Sequence, residues 1–210
     1  MIAYLVLVPT QFELDCLSDS FREMLRARNC TLDLCGFGPI VSGIRTAQLI
    51  ALHNPNAILL IGIAGALRSE LQVGTAIEFD EVGCYGIGAG SGDSFLTAGE
   101  IGWRQWGSED SDLQIQDIIA CGSIKPPLSQ LLTCCAASAN DLDRQQRLKK
   151  FPMALAEDME GFAVAAACQF SNTPLRIVRG ISNQAGDRNK SNWKVVEAIA
   201  AVEQHVLSSL

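Results

Sequence analysis

Short, continuous apolar runs recur along this chain and are separated by segments with helical spacing. The clearest runs cover residues 2–8, 57–61 and 175–181. A strand that is apolar at successive positions has to be covered on both faces, as in parallel sheets that lie between helices. The pattern therefore predicts an α/β protein, specifically a three-layer α/β/α sandwich with a central mixed, mostly parallel sheet.

The remaining elements follow from the same periodicities. Helices are predicted over residues 11–28, 39–53, 141–149, 158–170 and 192–207, and further strands over 31–35, 75–84 and 128–137. The segment 83–111 combines many glycines and serines with two tryptophans. It predicts a long loop, which we interpret as a mobile lid.

Composition narrows the class of protein. The 210 residues fit one domain, 1–210, and 48% of them are apolar. A net charge of -7 argues against a nucleic-acid surface, and no run approaches the length of a membrane span. The eight cysteines form no CxxC pair and there are only two histidines, so the spacing predicts no metal site. Most of the cysteines are predicted to be buried thiols in a reducing cytoplasm.

Polar side chains follow the predicted strand at 175–181 and open the helix that precedes it. Glu160 lies at the start of that helix, and Ser182 and Asn183 come directly after the strand. Open α/β sheets bind their ligands at the carboxyl ends of such strands. The arrangement therefore predicts a pocket for a small polar molecule.

A second carboxylate, Glu13, follows the first strand at the start of a helix. On local grounds it is either a partner of the helix dipole or a general acid or base at the strand end. Gly62 and Gly65 flank Ile63 and Ala64 after another strand. Small residues there allow close approach of a ligand, although tight packing alone would also explain them.

Several of these segments occur together in an order that resembles a known superfamily, the nucleoside phosphorylases and nucleosidases. The segments are Gly62-Ile63-Ala64-Gly65-Ala66-Leu67, Val73-Gly74, Asp158-Met159-Glu160-Gly161 and Val178-Arg179-Gly180-Ile181-Ser182-Asn183. The resemblance is nearest to the nucleosidases that act on methylthioadenosine and S-adenosylhomocysteine. Within that group, Pro9-Thr10-x-x-Glu13 and Ser182-Asn183-x-x-Gly186-Asp187-Arg188 resemble the futalosine hydrolases of menaquinone biosynthesis.

The resemblance implies a role for each matching residue. Glu13 would activate the attacking water, and Asn183 would stabilise the departing base. Glu160 would bind the ribose hydroxyls while Met159 packs on the sugar, and Arg179 would lie near the water. The substrate-binding positions would also include Ser182, Ala64 and Gly65. A homodimer or higher homo-oligomer that needs no cofactor is implied as well.

Two positions depart from the methylthioadenosine nucleosidases. Ile63 replaces a serine, which removes one polar contact to the water, and Asn183 replaces an aspartate. An amide donates to the 6-oxo group of hypoxanthine, whereas a carboxylate would repel it. Because futalosine carries hypoxanthine, the resemblance implies hydrolysis of futalosine to hypoxanthine and dehypoxanthinylfutalosine.

Three alternatives remain at this stage. The chain could act as a methylthioadenosine-type nucleosidase, as a purine nucleoside phosphorylase, or as a nucleoside-binding sensor without chemistry. Hydrolysis is favoured over phosphorolysis, because Glu13 would repel phosphate and residues 8–11 offer no arginine or lysine. Which residues meet the carboxyphenyl tail of futalosine does not follow from the sequence.

Overall fold

The computed structural model describes residues 2–121 and 129–210. The helices are α1 (Gln11–Asp15), α2 (Asp19–Ala27), α3 (Pro39–His53), α4 (Asp141–Lys150), α5 (Gly161–Phe170) and α6 (Val195–Ser209). The strands are β1 (Tyr4–Val8), β2 (Thr31–Leu34), β3 (Ala57–Ala66), β4 (Ala76–Phe79), β5 (Glu81–Tyr85), β6 (Gly88–Ala89), β7 (Leu96–Thr97), β8 (Ile118–Ala120), β9 (Gln130–Cys134), β10 (Ala154–Asp158) and β11 (Leu175–Gln184).

All of these strands except β6 and β7 form one mixed sheet with β3 at its centre. The first half of β3 lies between β1 and β11, parallel to both, and its last residues also pair antiparallel with β10. The pairs β1–β2, β9–β10 and β5–β9 are parallel, while β4–β11 and β5–β8 are antiparallel. Parallel pairs therefore predominate, which confirms the predicted sheet.

Helices cover both faces of the sheet, because successive side chains of each strand point to opposite sides. In β1, Leu5 and Leu7 pack in the hydrophobic cluster formed with α3 and α5. Val6 and Val8 pack in the cluster on the other face, with α2 and α6. The three-layer sandwich predicted from the apolar runs is confirmed.

One predicted helix, over residues 11–28, is in fact two. Helix α1 ends at Asp15, and α2 begins after Ser18, whose hydroxyl accepts a hydrogen bond from the Phe21 amide at 3.2 Å. The Ser18 backbone amide and hydroxyl also donate to Glu203 of α6. A serine side chain that caps a helix competes with continuation of the preceding helix. Here the same serine also connects the break between α1 and α2 to α6.

Three more assignments need correction, two of strands and one of a helix. The predicted strand 75–84 is split into β4 and β5, which pair with different neighbours, β11 and β9. The predicted helix 158–170 begins only at Gly161, since the residues before it form β10. The predicted strand 128–137 is shorter, Gln130–Cys134, and residue 128 lies outside the described residues.

The segment 83–111 is not a single loop. It contains the end of β5 and the β6–β7 hairpin, and an isolated bridge joins Trp106 to Ile115. The Tyr85 and Phe95 rings lie 4.7 Å apart, and the Trp106 ring lies 5.4 Å from Phe170 at the end of α5. These contacts hold the segment against the sheet edge and α5, which contradicts the interpretation as a lid over the candidate site described below.

Within the described residues, no helix is long and apolar enough to cross a membrane. The cysteines are all free thiols, and most are buried, as expected for small apolar side chains.

Candidate active site

A cavity of about 720 Å³ opens at the carboxyl ends of β1, β3 and β11, where the sequence predicts a pocket. Of the residues singled out from the sequence, those that line it are Glu13, Ala64, Gly65, Met159, Glu160, Ser182 and Asn183. None of residues 83–111 lines this cavity. In the described part of the chain, no cluster of three or more histidine, cysteine or acidic residues is arranged to hold a metal ion.

Glu13 is fixed by two hydrogen bonds at the edge of this cavity. Its Oε2 accepts from the Thr10 hydroxyl at 2.5 Å, and Thr10 also caps α1. Its Oε1 accepts from the backbone amide of Ile63 in β3 at 2.9 Å. The donor is the backbone amide of Ile63, so this hydrogen bond does not need the serine side chain that the methylthioadenosine nucleosidases carry at this position. Glu13 therefore also joins α1 to β3, and its role as a general base stays a prediction.

Gly62 is required by the packing behind this carboxylate. Its φ of +152° lies in a region that side chains rarely adopt. A Cβ there would lie 2.7 Å from Oε1 of Glu13 and would collide with the Arg179 guanidinium. Of the two readings that the sequence left open for this glycine, tight packing is the one that the structure supports.

Arg179 is completely buried and does not line the cavity. Its Nη2 donates to Asp158 at 2.6 Å and to Glu160 at 3.3 Å, and its Nη1 donates to the Ile61 carbonyl. Burial opposes the charge, but the neighbouring carboxylates outweigh it and raise the pKa of the guanidinium. Arg179 therefore presents no atom to the cavity in this structure, and its guanidinium holds the carboxylates of Asp158 and Glu160. Its place near the attacking water stays a prediction.

Asp158, to which the sequence assigned no role, is the structural partner of this arginine. Its second oxygen accepts from the Thr133 hydroxyl at 2.6 Å, and Oδ2 also accepts from the Gly161 amide, which starts α5. All of its contacts are internal. Removing one partner of such a buried ion pair typically costs about 3–5 kcal/mol. The pair therefore fixes the position at which Glu160 enters the cavity.

Glu160 is the N-cap residue of α5 and is 4% exposed. Its Oε1 accepts from the Gly38 amide at 3.1 Å. Burial, together with the charge of Asp158, raises its pKa to about 7, although Arg179 opposes the shift. Burial thus disfavours the charged form of this carboxyl group, and hydrogen-bond donors from a ligand would favour it.

This raised pKa predicts a pH-dependent stability. Between the ordinary value of 4.5 and about 7 the folded state binds more protons than the unfolded state, so the contribution of Glu160 is lost as pH rises. Between pH 4.5 and pH 8, we expect the free energy of unfolding of Glu160→Gln to rise relative to that of the wild type by on the order of 1–3 kcal/mol. Urea denaturation at several pH values measures this change, with the exposed Glu23→Gln of α2 as control. Parallel curves for Glu160→Gln and the wild type would contradict the assignment.

Asn183 lies near the end of β11, at a shift in strand register. Ile181 pairs with Ala64 and Asn183 pairs with Gly65, so Ser182 is the extra residue. A bulge of this kind redirects side chains. The Asn183 Oδ1 accepts from the Ser182 hydroxyl at 2.8 Å, and Nδ2 donates to the Gln184 carbonyl at 2.8 Å. The amide is thereby oriented, with one N–H and one oxygen lone pair free for a ligand.

A further acid, Glu157, lines the cavity and was missed by sequence reasoning. Asn183 and Glu157 both pair in register with Gly65, on either side of β3, so the glycine leaves a gap between them. Glu157 accepts from the Ser138 amide at 2.8 Å and forms a buried ion pair with Arg147 of α4. It was missed because residues 154–158 were not recognised as a strand.

The outer part of the cavity is lined differently. Its residues are mostly apolar and mostly exposed, and they come from the loop before α6, the start of α6 and the loops after β1 and β2. They include the apolar Phe12, Phe37, Trp193, Val195 and Val196, the basic Arg188 and Lys190, and the acidic Glu197. The cavity thus has a buried, acidic inner end and an exposed, largely apolar mouth with two basic residues and one acid.

A polar pocket at the carboxyl edge of such a sheet is typical of small-molecule sites. Known proteins that are similar to this chain are enzymes named for small-molecule substrates. The chain belongs to the phosphorylase superfamily, whose family model matches residues 21–209. Among individual proteins, it is 27% identical to futalosine hydrolase from Streptomyces coelicolor, over 71% of this chain and 63% of that protein, which is less than two thirds of its length.

Two other proteins extend the comparison. The chain is 25% identical to 5'-methylthioadenosine/S-adenosylhomocysteine nucleosidase from Staphylococcus aureus, over 87% of this chain and 80% of that one. Its fold is similar to that of the Neisseria meningitidis nucleosidase of the same name, solved with methylthio-immucillin-A. That match has a TM-score of 0.77 at 18% identity and covers 100% of both chains.

Proposed function

We propose that this protein hydrolyses the N-glycosidic bond of a 6-oxopurine nucleoside, with futalosine as the substrate. The observation that carries the proposal is the convergence of Glu13, Glu160 and Asn183 on one cavity. Each is buried and held by hydrogen bonds, so little reorganisation is needed when the substrate binds. The similar proteins include both a futalosine hydrolase and methylthioadenosine nucleosidases. The purine base of the substrate therefore has to be inferred from the residues of the site.

The residues support a division of labour in the reaction. Glu13 accepts a proton from a water molecule, whose oxygen bonds to C1′ of the ribose as the bond from C1′ to N9 breaks. The leaving base takes up a proton at N7 from solvent water, and Asn183 Oδ1 accepts a hydrogen bond from the resulting N–H. Glu13 returns its proton to solvent after the step. Charge on the sugar is oxocarbenium-like in such transition states. Glu160 accepts hydrogen bonds from the ribose hydroxyls.

The identity of the base rests on Asn183. Its Oδ1 accepts a hydrogen bond from the Ser182 hydroxyl, and its Nδ2 donates one to the Gln184 carbonyl. These two bonds fix the orientation of the amide. A free N–H suits the 6-oxo acceptor of hypoxanthine, whereas adenine presents a donor there. Sites built around such bonds discriminate by about 10⁴ or more between matched and mismatched groups.

Charge distribution supports hydrolysis over phosphorolysis. The described residues that line the inner end include the carboxylates Glu13, Glu157 and Glu160 but no arginine or lysine. The buried Arg179 is already bound to carboxylates. Inorganic phosphate would lack a cationic partner beside Glu13, while a water molecule would gain a base.

The effect of removing the Glu160 carboxylate should depend on which hydroxyls the sugar of the substrate carries. We expect Glu160→Ala to weaken transition-state binding of ribonucleosides by about 1.5–3 kcal/mol, the value of a hydrogen bond to a charged group. The 2′-deoxy analogues should lose much less, because one hydroxyl partner is already absent. The ratio of kcat/KM for inosine and 2′-deoxyinosine, in wild type and variant, gives the comparison. Equal losses for the two sugars would remove Glu160 from the ribose site.

The experiment that tests the function uses three nucleosides and two buffers. The protein is incubated with futalosine, inosine and methylthioadenosine, with and without phosphate, and free base is measured. Hydrolysis of futalosine without phosphate is the expected result. A strict need for phosphate would indicate a phosphorylase, preference for methylthioadenosine would indicate the adenine-specific enzyme, and binding without cleavage would indicate a sensor.

A further inference from the structure

We propose that the mouth of the cavity is a subsite for an aromatic carboxylate attached to the 5′ side of the nucleoside, recognised by Arg188 and Lys190 beside Trp193. The inference rests on the proposed function and names the chemical class of the tail. A nucleoside with a neutral or zwitterionic tail would use the inner site without this contact.

The first argument is the separation of charge along the cavity. The inner carboxylates Glu13, Glu157 and Glu160 are 4–5% exposed. Arg147 pairs with Glu157 and Arg179 with Glu160, while Glu13 has no ion-pair partner within the described residues. Arg188 and Lys190 lie at the exposed end of the same cavity, where they outnumber the single acid among the described lining residues, Glu197. An anionic group is therefore repelled from the inner end and attracted to the mouth, so the charges favour binding with the base inward and the acid outward.

The two cations are free to bind such a group. Within the described ranges, neither Arg188 nor Lys190 has a carboxylate within ion-pair distance. The neighbouring acid, Asp187, is engaged elsewhere. Its Oδ1 accepts from the Asn189 amide at 2.9 Å and its Oδ2 accepts from the Asn192 side chain at 2.8 Å.

The same loop fixes an aromatic wall beside the cations. The Trp193 indole donates to the Asp187 carbonyl at 3.0 Å, and the Arg188 guanidinium carbon lies 5.5 Å from the centre of the indole ring. The apolar side chains of Phe12, Phe37 and Val196 also line the cavity while 62–65% exposed. A flat, apolar ring that ends in a carboxylate matches this surface, because the ring covers the exposed carbon atoms and the acid meets the cations.

The test compares three substrates that share the base and ribose: futalosine, its methyl ester, and inosine. We expect the wild type to prefer futalosine to the ester. Arg188→Ala and Lys190→Ala should each lower kcat/KM for futalosine by about tenfold, mainly through KM. The same variants should leave the ester and inosine unchanged. Arg188→Lys, which keeps the charge, should retain most of the preference.

Lys194→Ala is the matched control, since Lys194 is an exposed cation of the same segment that does not line the cavity. It should cleave all three substrates like the wild type. If the Arg188 and Lys190 variants cleave futalosine as well as the wild type does, or lose activity equally on all three substrates, the subsite is wrong while the nucleosidase function stands. If no form of the protein cleaves any of the nucleosides, the proposed function fails and the subsite fails with it.

Discussion

Glu13→Gln should fold normally and lose turnover by a factor of about 10²–10⁴, the range typical of removing a general base. The substitution keeps the size of the side chain and an oxygen that accepts from the Ile63 amide, so the hydrogen bond to β3 survives. What it removes is the capacity to take a proton from water. The loss should appear in kcat for futalosine, with KM changed much less.

Asp15→Asn is the matched control for this variant. Asp15 is an exposed acid on the same short helix, where it accepts from Gln11 at 2.7 Å. It should hydrolyse futalosine at the wild-type rate. Near-normal turnover by Glu13→Gln, with Asp15→Asn also normal, would mean that Glu13 only anchors α1 to β3. Thermal unfolding of both variants separates a chemical loss from a folding defect.

Asn183→Asp should shift the preference from 6-oxopurine towards 6-aminopurine nucleosides. The ratio of kcat/KM for matched adenine and hypoxanthine nucleosides is expected to rise by about 10²–10⁴. An ionised carboxylate has no donor for O6 but accepts from a 6-amino group. It also faces the Gln184 carbonyl, to which Nδ2 donates at 2.8 Å in the wild type. That cost affects both substrates, which is why the ratio is measured.

Asn172→Asp provides the control, because it makes the same chemical change at an exposed turn away from the cavity. It should leave the ratio unchanged. If both rates of Asn183→Asp fall together while the ratio stays constant, Asn183 does not read the base. The main physical argument for futalosine over methylthioadenosine would then be lost.

The sequence predictions were correct where local residues decide the structure and incorrect where residues distant in sequence decide it. Apolar runs predicted β1, β3 and β11 well, because a strand buried on both faces has to be apolar along its length. The boundaries failed where a distant partner decides them. Strands β4 and β5 are consecutive in sequence, yet they pair with β11 and β9, and nothing in residues 75–84 alone specifies that.

The same distinction applies to the candidate site. Sequence motifs and the resemblance they carry named several residues that line the inner cavity, including Glu13, Glu160 and Asn183, but not Glu157. They placed Arg179 near the water but did not predict that its guanidinium is bound to buried carboxylates, and they gave Asp158 no role. The segment 83–111 looked like a lid because glycine content reports backbone freedom but not where a segment packs.

By itself, the sequence determined the alternation of strands and helices, the three layers, and the polar residues carried to the carboxyl edge of the sheet. Only the tertiary structure decided how those residues are held. The Glu13 carboxylate meets an amide fifty residues away, and Glu160 meets the amide of Gly38, 122 residues before it. Local patterns encode burial and backbone conformation over a few residues. The ion pairs, the raised pKa of Glu160 and the division between inner end and mouth arise only when distant segments exclude water together.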